Sequence, residues 1–395
     1  MPAIIDTELL QWATPTQAAY LNAINEHGSG RAAAKALGVS KNAVNESILR
    51  LKTQAALKGY SPEHDLVHPT APGQRLKGTS TLYKGGKPVV QWVKTTADEE
   101  ALAQIRQAAF DAMREELTPL PATQFEGQEG NDDLLNCFVI TDFHMGALSW
   151  APETGADWDI DIAERTLVAW FERSIAQSPN AKTALLAQIS DLLHWDGFDA
   201  VTPASKHLLD ADTRFPKLAR VAIRVLRRVI TMLLDKHEYL HIIMADANHD
   251  PVSQVWLREW ISVLYEDNPR VTVDTSPSPY NAYEFGKVAI FTHHGHKRRV
   301  TNVSEVFAAQ FREMFGRTKY AYAHTGHLHH IDVKENNLMV VEQHRTLAAP
   351  DAYAARGGWV TGRDAKVITY HREFGEVGRL TVSFDMLRSS LKLAA

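Results

Sequence analysis

The spacing of hydrophobic residues along the chain changes near residue 133. Ahead of that point, apolar residues recur three and four positions apart, which predicts short helices at residues 16–27, 31–37 and 41–57. Beyond it, short apolar runs alternate with longer amphipathic stretches in the order strand, polar loop, helix. The pattern therefore predicts a small all-α domain followed by a larger α/β domain.

The larger domain is predicted to hold a largely buried sheet, because its strands are predominantly apolar runs. The predicted strands are residues 134–140, 184–189, 239–244, 288–291 and 320–323. The helices between them are predicted at about 160–177, 213–236, 250–265 and 303–315. Residues 346–395 add two strand-like runs, AKVITYH and GRLTVSF, and a short terminal helix.

The pattern divides the chain into three parts: residues 1–60, a connector at 61–132, and the α/β domain at 133–395. Within the connector, TSTLY and PVVQWVKT flank Gly85-Gly86, a turn signal that predicts a β-hairpin. A helix is predicted at 97–117. The hairpin carries Lys84, Lys87, Trp92 and Lys94, which suit either contact with nucleic acid or plain solvation.

Residues 37–40, LGVS, form a turn between two predicted helices. Gly38 supplies the positive φ of a tight turn, Ser40 caps the next helix, and Leu37 and Val39 are expected to face the interior. The arrangement resembles a helix-turn-helix, whose second helix enters the major groove of DNA. A small helical bundle for protein contacts is the alternative. The side chains expected to contact DNA are Lys41, Asn42, Asn45 and Arg50.

Charge is unevenly distributed over the 395 residues. Residues 1–96 carry 11 Lys and Arg against 6 Asp and Glu, a net charge of +5. The net charge of the whole chain is −5, so residues 97–395 carry −10. A basic front on an acidic body fits duplex DNA as one partner. The single cysteine, Cys137, excludes a disulfide framework and favours the cytoplasm. No apolar run is long enough for a membrane span, and the oligomeric state stays open, with a homodimer among the alternatives.

Polar residues suited to metal binding follow each predicted strand of the larger domain. Seven of the 18 histidines lie between residues 293 and 330. Strands of open α/β sheets gather their sites at the carboxyl ends, so these groups are expected to meet at one edge. The segments are ITDFHMGA, QISDLLHWDG, MADANHDP, FTHHGHKRR and HTGHLHH.

The chemistry of these side chains limits the choice of metal. Carboxylates, an amide oxygen and several imidazoles, without thiolates, suit Mn²⁺, Fe, Zn²⁺, Co²⁺ or Ni²⁺ rather than structural zinc or calcium. There are too many ligands for one ion with open positions. Two divalent ions that share one carboxylate would use them all, and among these metals we favour Mn²⁺.

Five of these segments, in this order, resemble the motifs of the calcineurin-like metallophosphoesterases. The matching segments are Asp142 to His144, Ser190 to His194, Ala247 to Asp250, His294, and Gly326 to His329. The resemblance covers about residues 133–345. It implies a β-sandwich flanked by helices and a centre with two metal ions that hydrolyses phosphoesters.

The resemblance also implies a role for each matching residue. Asp142, His144 and His329 would hold one ion, and Asn248, His294 and His327 the other, with Asp191 shared between them. The choice of His294 over His293 follows from its position before Gly295, and either residue would fit. Two glycines usual in the family are Ser190 and Ala247 here, both small enough for close approach.

The resemblance extends to catalysis by a hydroxide that bridges the two metal ions. His249 would protonate the leaving oxygen, with Asp250 either orienting it or capping the helix that starts at Pro251. His194 stands where the family's repair exonucleases have a histidine, which favours cleavage of phosphodiesters. The exposed cations expected to hold a phosphate backbone are Lys297, Arg298 and Arg299.

These observations lead to the hypothesis of a DNA-directed, nuclease-like phosphodiesterase. Fusions of a helix-turn-helix to such a domain resemble those of phages and prophages, which would place the protein in the host cytoplasm. One alternative is a phosphomonoesterase or small-nucleotide phosphodiesterase tethered to DNA. Another is a catalytically inactive DNA-binding regulator.

Overall fold

A computed structural model describes residues 5–67, 74–84, 87–97 and 120–391. The chain forms two compact units, Met1–Met113 and Arg114–Ala395. Among the described residues, none of the helices combines the length and the apolarity that a bilayer crossing requires.

The first unit contains three helices that follow a short 3-10 helix, Thr7–Trp12. They are α1 (Pro15–His27), α2 (Gly30–Ala36) and α3 (Lys41–Leu57). Each begins at a hydroxyl side chain that accepts a hydrogen bond from the first turn, which satisfies an otherwise unpaired N–H group. These caps are Thr14, Ser29 and Ser40. The core between the helices is built from Leu21, Ile24, Ala33, Val44 and Leu51.

The turn between α2 and α3 differs from our expectation. Leu37 and Val39 are 40% and 37% exposed, so neither fills the interior. Leu9 of the 3-10 helix and Leu21 of α1 already occupy the space between the helices. Val39 instead closes the turn through its backbone N–H, which donates to the carbonyl of Ala34. The helices predicted at this place are present, but the expected apolar plug of the turn is not.

The described residues of the first unit that follow α3 form four strands. They are β1 (Tyr60–Ser61), β2 (Leu66–Val67), β3 (Gln74–Lys84) and β4 (Lys87–Ala97). A 3-10 turn, Pro62–His64, joins β1 to β2. Strands β3 and β4 pair antiparallel, with Lys84 opposite Lys87, as the hairpin prediction requires. The predicted Gly85-Gly86 turn and nearly all of the helix predicted at 97–117 lie outside the described residues.

The second unit is built on a six-stranded sheet. Its strands are β5 (Asn131–Ile140), β6 (Ala181–Gln188), β7 (Tyr239–Met244), β8 (Val271–Val273), β14 (Asp364–His371) and β15 (Gly375–Ser383). Their order is β15-β14-β5-β6-β7-β8. Strands β5 to β8 run parallel, while β14 and β15 run antiparallel to their neighbours. The carboxyl ends of the parallel strands therefore share one edge.

A five-stranded sheet packs against the first. Its strands are β9 (Asn281–Phe285), β10 (Val288–Thr292), β11 (Tyr320–Thr325), β12 (Asp332–Glu335) and β13 (Val340–Gln343), in the order β12-β13-β11-β10-β9. Side chains of both sheets form one apolar layer, which includes Cys137, Val139, Ile290 and Ile368. The unit is therefore a sandwich of two sheets.

Helices flank this sandwich. They are α4 (Ala151–Thr154), α5 (Ile160–Gln177), α6 (Phe215–Lys236), α7 (Pro251–Leu264), α8 (Val303–Gln310), α9 (Arg312–Arg317), α10 (Ala352–Gly357) and α11 (Arg388–Leu391). A final 3-10 turn spans Phe384–Leu387. The largest core lies between α5, α6, α7 and the six-stranded sheet. The predicted mixed α/β architecture is confirmed.

Alternation along β5 shows how the sequence specifies both layers. Phe138 and Ile140 point toward the helices, whereas Cys137 and Val139 point toward the second sheet. Successive side chains of a strand face opposite sides, so a strand covered on both sides is mostly apolar. This explains the apolar run at residues 137–140, which ends two residues ahead of the first ligand-type residue, Asp142.

Candidate metal centre

Sharp backbone turns bring the ligand-type residues together at the carboxyl edge of both sheets. Eight non-glycine residues of the described chain have positive φ, and six of them belong to this edge. Such left-handed conformations are rare outside glycine and gather at functional sites, where the surrounding structure holds them. The six are Asp142, His144, Ser190, Asp191, His327 and His329.

The first cluster consists of Asp142, His144 and His329, whose ligand atoms all lie within 4.8 Å of one another. Oδ2 of Asp142 accepts hydrogen bonds from Oγ1 of Thr141 at 2.6 Å and from the backbone N–H of His327 at 2.8 Å. Its Oδ1 lies 3.2 Å from Nε2 of His329. Nε2 of His144 lies 3.3 Å from the same nitrogen. Three ligand atoms thus face a common point.

The second cluster is centred on Asp191 and His294. Oδ1 of Asp191 accepts the backbone N–H groups of Asn248 and His249, each at 3.0 Å. Its Oδ2 lies 3.1 Å from Nε2 of His294, which in turn lies 2.7 Å from Oδ1 of Asn248. His327 completes the group, with a ring nitrogen within 4.8 Å of the Asp191 and His294 ligand atoms.

The backbone fixes how His294 presents its ring. Nδ1 lies 3.1 Å from the carbonyl oxygen of Ile189, and a carbonyl can only accept, so Nδ1 carries the proton. Nε2 is thereby aimed at the carboxylates. It also lies 4.0 Å from Oδ1 of Asp142, which makes the two clusters neighbours at one centre.

The charges at this centre compensate one another. Burial acts to raise the pKa of Asp142, but His329 and His294 outweigh it and hold that pKa below its ordinary value. Burial also opposes the charge of Asp191, and His294 again holds its pKa well below the usual range. The two carboxylates in turn outweigh the burial of His294 and raise its pKa to about 9. Without a cation, a proton on His294 supplies positive charge between the carboxylates.

The residues present fit divalent cations on three observations. Oδ1 of Asp142 is fully buried and makes no aligned hydrogen bond. The nitrogens of His144 and His329 face each other at 3.3 Å, an arrangement in which at most one can donate, whereas a cation accepts both lone pairs. A Cβ on Gly326 would lie 2.4 Å from Oδ2 of Asp142, so the loop leaves room only for the bare backbone. The donors are nitrogen and oxygen, which suits borderline transition metals.

The remaining predicted catalytic residues lie beside the first cluster. Nδ1 of His194 lies 3.3 Å from Nδ1 of His144, on the side of that ring away from His329. The carbonyl of His194 accepts the Nδ1 proton of His249 at 2.9 Å. Burial, followed by the charge of His249, lowers the pKa of His194 to about 3, so its ring is neutral at neutral pH. His194 therefore supports His144 and His249 together.

Asp250 has a different environment from either role that we expected. Its Oδ2 accepts hydrogen bonds from the backbone of Leu193 and from Nε2 of Gln254, both at 2.9 Å. Asp250 stands at the N-cap position of α7, but its side chain bonds neither to the backbone of the first turn of that helix nor to His249. The helix is capped instead by Asp196, which accepts from the backbone N–H of Val252 and the hydroxyl of Ser253. A buried position under the 191–194 loop explains why the Asp250 carboxylate turns inward.

His293 points away from the centre. Its ring stacks on Tyr280, with centroids 4.7 Å apart and planes at 15°, and its Nδ1 accepts the backbone N–H of Gly295. The structure therefore brings His294, and not His293, to the carboxylates. Gly295 has φ +111°, which lets the chain reverse between the two histidines.

The predicted substrate and DNA contacts are exposed. Lys297, Arg298 and Arg299 follow the His294 turn, and all three are open to solvent. Four polar residues of α3 in the first unit are likewise exposed, namely Lys41, Asn42, Asn45 and Arg50. Their exposure agrees with a binding role.

Two residues that our sequence analysis did not single out shape the centre. Thr141 orients the Asp142 carboxylate through its hydroxyl, and Tyr280 supports the 293–295 turn by stacking. Thr141 was visible in the sequence as the hydroxyl residue directly before the ligand. Tyr280 gave no local signal, because it lies 13 residues ahead of His293 and outside the FTHHGHKRR segment.

A second group of ligand-type residues lies between the two sheets. It consists of His324, Glu342 and His344, all buried. Lys366 and Arg379 both bond to the Glu342 carboxylate, at 2.7 Å each. His324 is bonded on both sides, 2.9 Å from His344 and 2.8 Å from the hydroxyl of Tyr370. These groups already satisfy one another, so this is a structural network rather than a second metal centre.

Comparison with known proteins gives no family assignment. No protein-family model matches this chain, and no curated protein does either. Among solved structures, one similar chain is a conserved Streptococcus pneumoniae protein described as a predicted phosphoesterase. It is 12% identical, the match covers 63% of this chain and 98% of that chain, and the TM-score is 0.24. A novel archaeal phosphodiesterase has 13% identity, coverages of 62% and 99%, and a TM-score of 0.30.

A third similar structure is a 5′-nucleotidase from Candida albicans, at 13% identity, with 69% of this chain and 56% of that chain covered and a TM-score of 0.32. At scores this low, the likeness carries no argument about this protein. The assignment of chemistry therefore depends on the geometry of the centre itself.

Proposed function

We propose that this protein is a metal-dependent phosphodiesterase that acts on DNA. The observation that carries the proposal is the convergence of seven ligand-type side chains, drawn from both sheets, on one compact centre. They are Asp142, His144, Asp191, Asn248, His294, His327 and His329. Burial of two carboxylates among imidazoles costs desolvation free energy, so a purely structural role does not account for this arrangement.

The centre divides naturally into two positions. Asp142, His144 and His329 would hold one cation, and Asn248, His294 and His327 the other, with Asp191 between them. Mn²⁺ is the cation we favour, and Fe, Zn²⁺, Co²⁺ and Ni²⁺ suit the same donors. Bound there, divalent cations supply Lewis acidity that polarises a phosphoryl oxygen and makes water acidic enough to react at neutral pH.

His249 is the residue we assign to proton transfer. Its Nδ1 proton is committed to the carbonyl of His194, which leaves Nε2 as the nitrogen that can hold or release a proton. Its backbone N–H is tied to Asp191, so the ring is held beside the centre without belonging to the ligand set. A proton on Nε2 would pass to the leaving oxygen of the ester.

The charges around the centre favour a polyanionic substrate. Lys297, Arg298 and Arg299 are exposed directly after the His294 turn, where a phosphate backbone would gain three cations. In the first unit, the exposed start of α3 carries Lys41, Asn42 and Asn45, which suit base edges and phosphates. These features favour DNA over a small phosphomonoester.

The test is hydrolysis by the full-length protein loaded with Mn²⁺. Its substrates are supercoiled plasmid, linear DNA, and p-nitrophenyl esters of phosphoric acid. We expect DNA cleavage that EDTA abolishes and that His249→Gln lowers by about 10²- to 10⁴-fold, the usual contribution of general acid catalysis. The exposed His207→Gln provides the matched control, with activity unchanged.

The outcomes separate the alternatives. Hydrolysis of small esters with intact plasmid and linear DNA would show a phosphomonoesterase or small-nucleotide phosphodiesterase instead. DNA binding with no turnover under any of the five metals would show a regulator without catalysis.

A further inference from the structure

The antiparallel ribbon β3–β4 presents an unusual surface. Leu82, Val90 and Trp92 are 54%, 42% and 56% exposed. A two-stranded ribbon is only marginally stable in water by itself, and burial of its exposed apolar side chains against a partner would stabilise it. Tyr83 anchors one end, since its hydroxyl donates to Oδ2 of Asp65 at 2.5 Å. The ribbon is therefore anchored at its turn end and carries an apolar surface that a partner would cover.

Charge identifies the chemistry of that partner. Residues 66–97 contain five Lys and Arg and no Asp or Glu. The basic residues are Arg75, Lys77, Lys84, Lys87 and Lys94. A ribbon with five cations and no compensating carboxylate of its own attracts a polyanion and repels basic surfaces. Apolar cover from an ordinary protein surface would leave this charge unmatched.

The register places apolar and basic groups on the same face. Val90, Trp92 and Lys94 alternate along β4, so their side chains point to one side. Gly78 and Ser80 lie opposite Lys94 and Trp92, and these small residues leave the indole and the ammonium group open. On the other face, Nε2 of Gln91 donates to Oγ1 of Thr81 at 2.9 Å, and Val93 is 39% exposed.

We propose that the β3–β4 ribbon is a second DNA-binding element, which binds duplex DNA through the face that carries Trp92 and Lys94. The major groove admits a two-stranded ribbon, with apolar side chains against base edges and thymine methyl groups. The flanking Lys and Arg side chains contact phosphates. The inference rests on the DNA-binding part of the proposed function and does not depend on hydrolysis.

The experiment measures binding of the full-length protein to a fluorescently labelled duplex in EDTA, so that no cleavage occurs, across a potassium chloride series. The double variant Lys77→Gln, Lys94→Gln removes two cations from the ribbon. It should bind about 10-fold more weakly, with a salt dependence smaller by about two ion equivalents. Trp92→Ala should weaken binding by about 10-fold with little change in the salt dependence.

The matched control is the double variant Lys206→Gln, Lys217→Gln, which removes the same charge from exposed positions of the second unit. It should bind DNA as the unaltered protein does. Melting temperatures in EDTA check that all variants are folded. Mn²⁺-dependent hydrolysis of a small phosphodiester, measured in parallel, should be equal in every variant.

Three results would overturn the assignment of the ribbon. They are equal effects of the ribbon and control variants on binding, absence of duplex binding by the unaltered protein, and binding to anionic phospholipid vesicles in place of DNA. If the unaltered protein bound DNA but did not hydrolyse the small phosphodiester, the proposed metal chemistry would be contradicted and the ribbon assignment would be unaffected.

Discussion

Gly326 lies so close to Asp142 that a Cβ on it would stand 2.4 Å from Oδ2 of that carboxylate, and 1.9 Å from Oγ1 of Thr141. Real Cβ atoms do not approach other atoms so closely, so any side chain at 326 must displace the ligand. Close contact between the backbone of one sheet and a carboxylate of the other is thus a condition for forming the centre.

Gly326→Ala should therefore damage metal binding more than folding. We expect Mn²⁺ affinity to fall by at least about 10-fold, and stability in EDTA to fall by about 1–3 kcal/mol, as in other overpacked sites. Isothermal titration with Mn²⁺ and denaturant unfolding measure the two effects. Gly316→Ala is the control, because a Cβ there meets nothing within 4 Å. Unaltered affinity in Gly326→Ala would show that the loop can move away freely.

The loop that follows Asp191 holds the start of α7 through Asp196. Asp196→Ala should remove the hydrogen bonds to Val252 and Ser253 and lower the free energy of unfolding by about 1 kcal/mol, the usual worth of an N-cap. Asp196→Asn should lose less, since an amide oxygen still accepts. Asp199→Ala, at an exposed position in the same loop, serves for comparison. Equal stability of the Ala variants at 196 and 199 would argue against the cap.

The exposed cations after His294 should act on long substrates only. Replacement of Lys297 and Arg298 by Gln should raise KM for DNA and reduce its salt dependence by about two ion equivalents, because two phosphate contacts are lost. Hydrolysis of a small phosphodiester should change little. Initial rates over a salt series test this, with the pair Lys206→Gln, Lys217→Gln as control. A proportional loss on both substrates would place these residues in the chemistry instead.

Acid should destabilise the second unit through buried histidines. Burial lowers the pKa of His324 to about 4, below its value of about 6.5 in an unfolded chain. As the pH falls, His324 is therefore protonated in the unfolded state at a higher pH than in the folded state. The contribution to stability is complete above about pH 6.5 and is lost as the pH falls toward about 4, by up to about 1.4 kcal/mol per pH unit.

Unfolding by denaturant in EDTA at a series of pH values measures this dependence. His324→Gln should give a shallower fall in the free energy of unfolding over that range, whatever its effect at neutral pH. His207→Gln, at an exposed position, should leave the slope as it is. An identical slope in the protein and in His324→Gln would remove His324 as a source of the acid sensitivity.

Local patterns were sufficient to predict the strands that precede the centre. β7 is found where its apolar run lies, at Tyr239–Met244, and β5 ends at Ile140 as predicted. Strands buried on both faces are mostly apolar, so the end of the apolar run marks the end of the strand. The ligand-type residues follow shortly after these strand ends. Asp142 and Asp191 could be selected for this reason.

Contacts between distant parts of the chain could not be predicted in this way. Strands β9, β12 and β13 are only four or five residues long, too short for a clear pattern, so the sequence alone did not reveal them. Asp196 caps a helix that begins 55 residues later, at Pro251, and no local motif marks such a pair. Val39 has the residue type of a core position, yet the space was already taken by other side chains.

Both sheets contribute ligand-type residues to the centre. Asp142, His144 and Asp191 follow strands of the six-stranded sheet, while His294 and His329 follow strands of the other. An ion held among them would cross-link the two sheets of the sandwich. Removal of the ion by a chelator should then weaken the interface between the sheets before it unfolds either sheet. Proteases should therefore cleave at that interface while each sheet keeps its own hydrogen bonds.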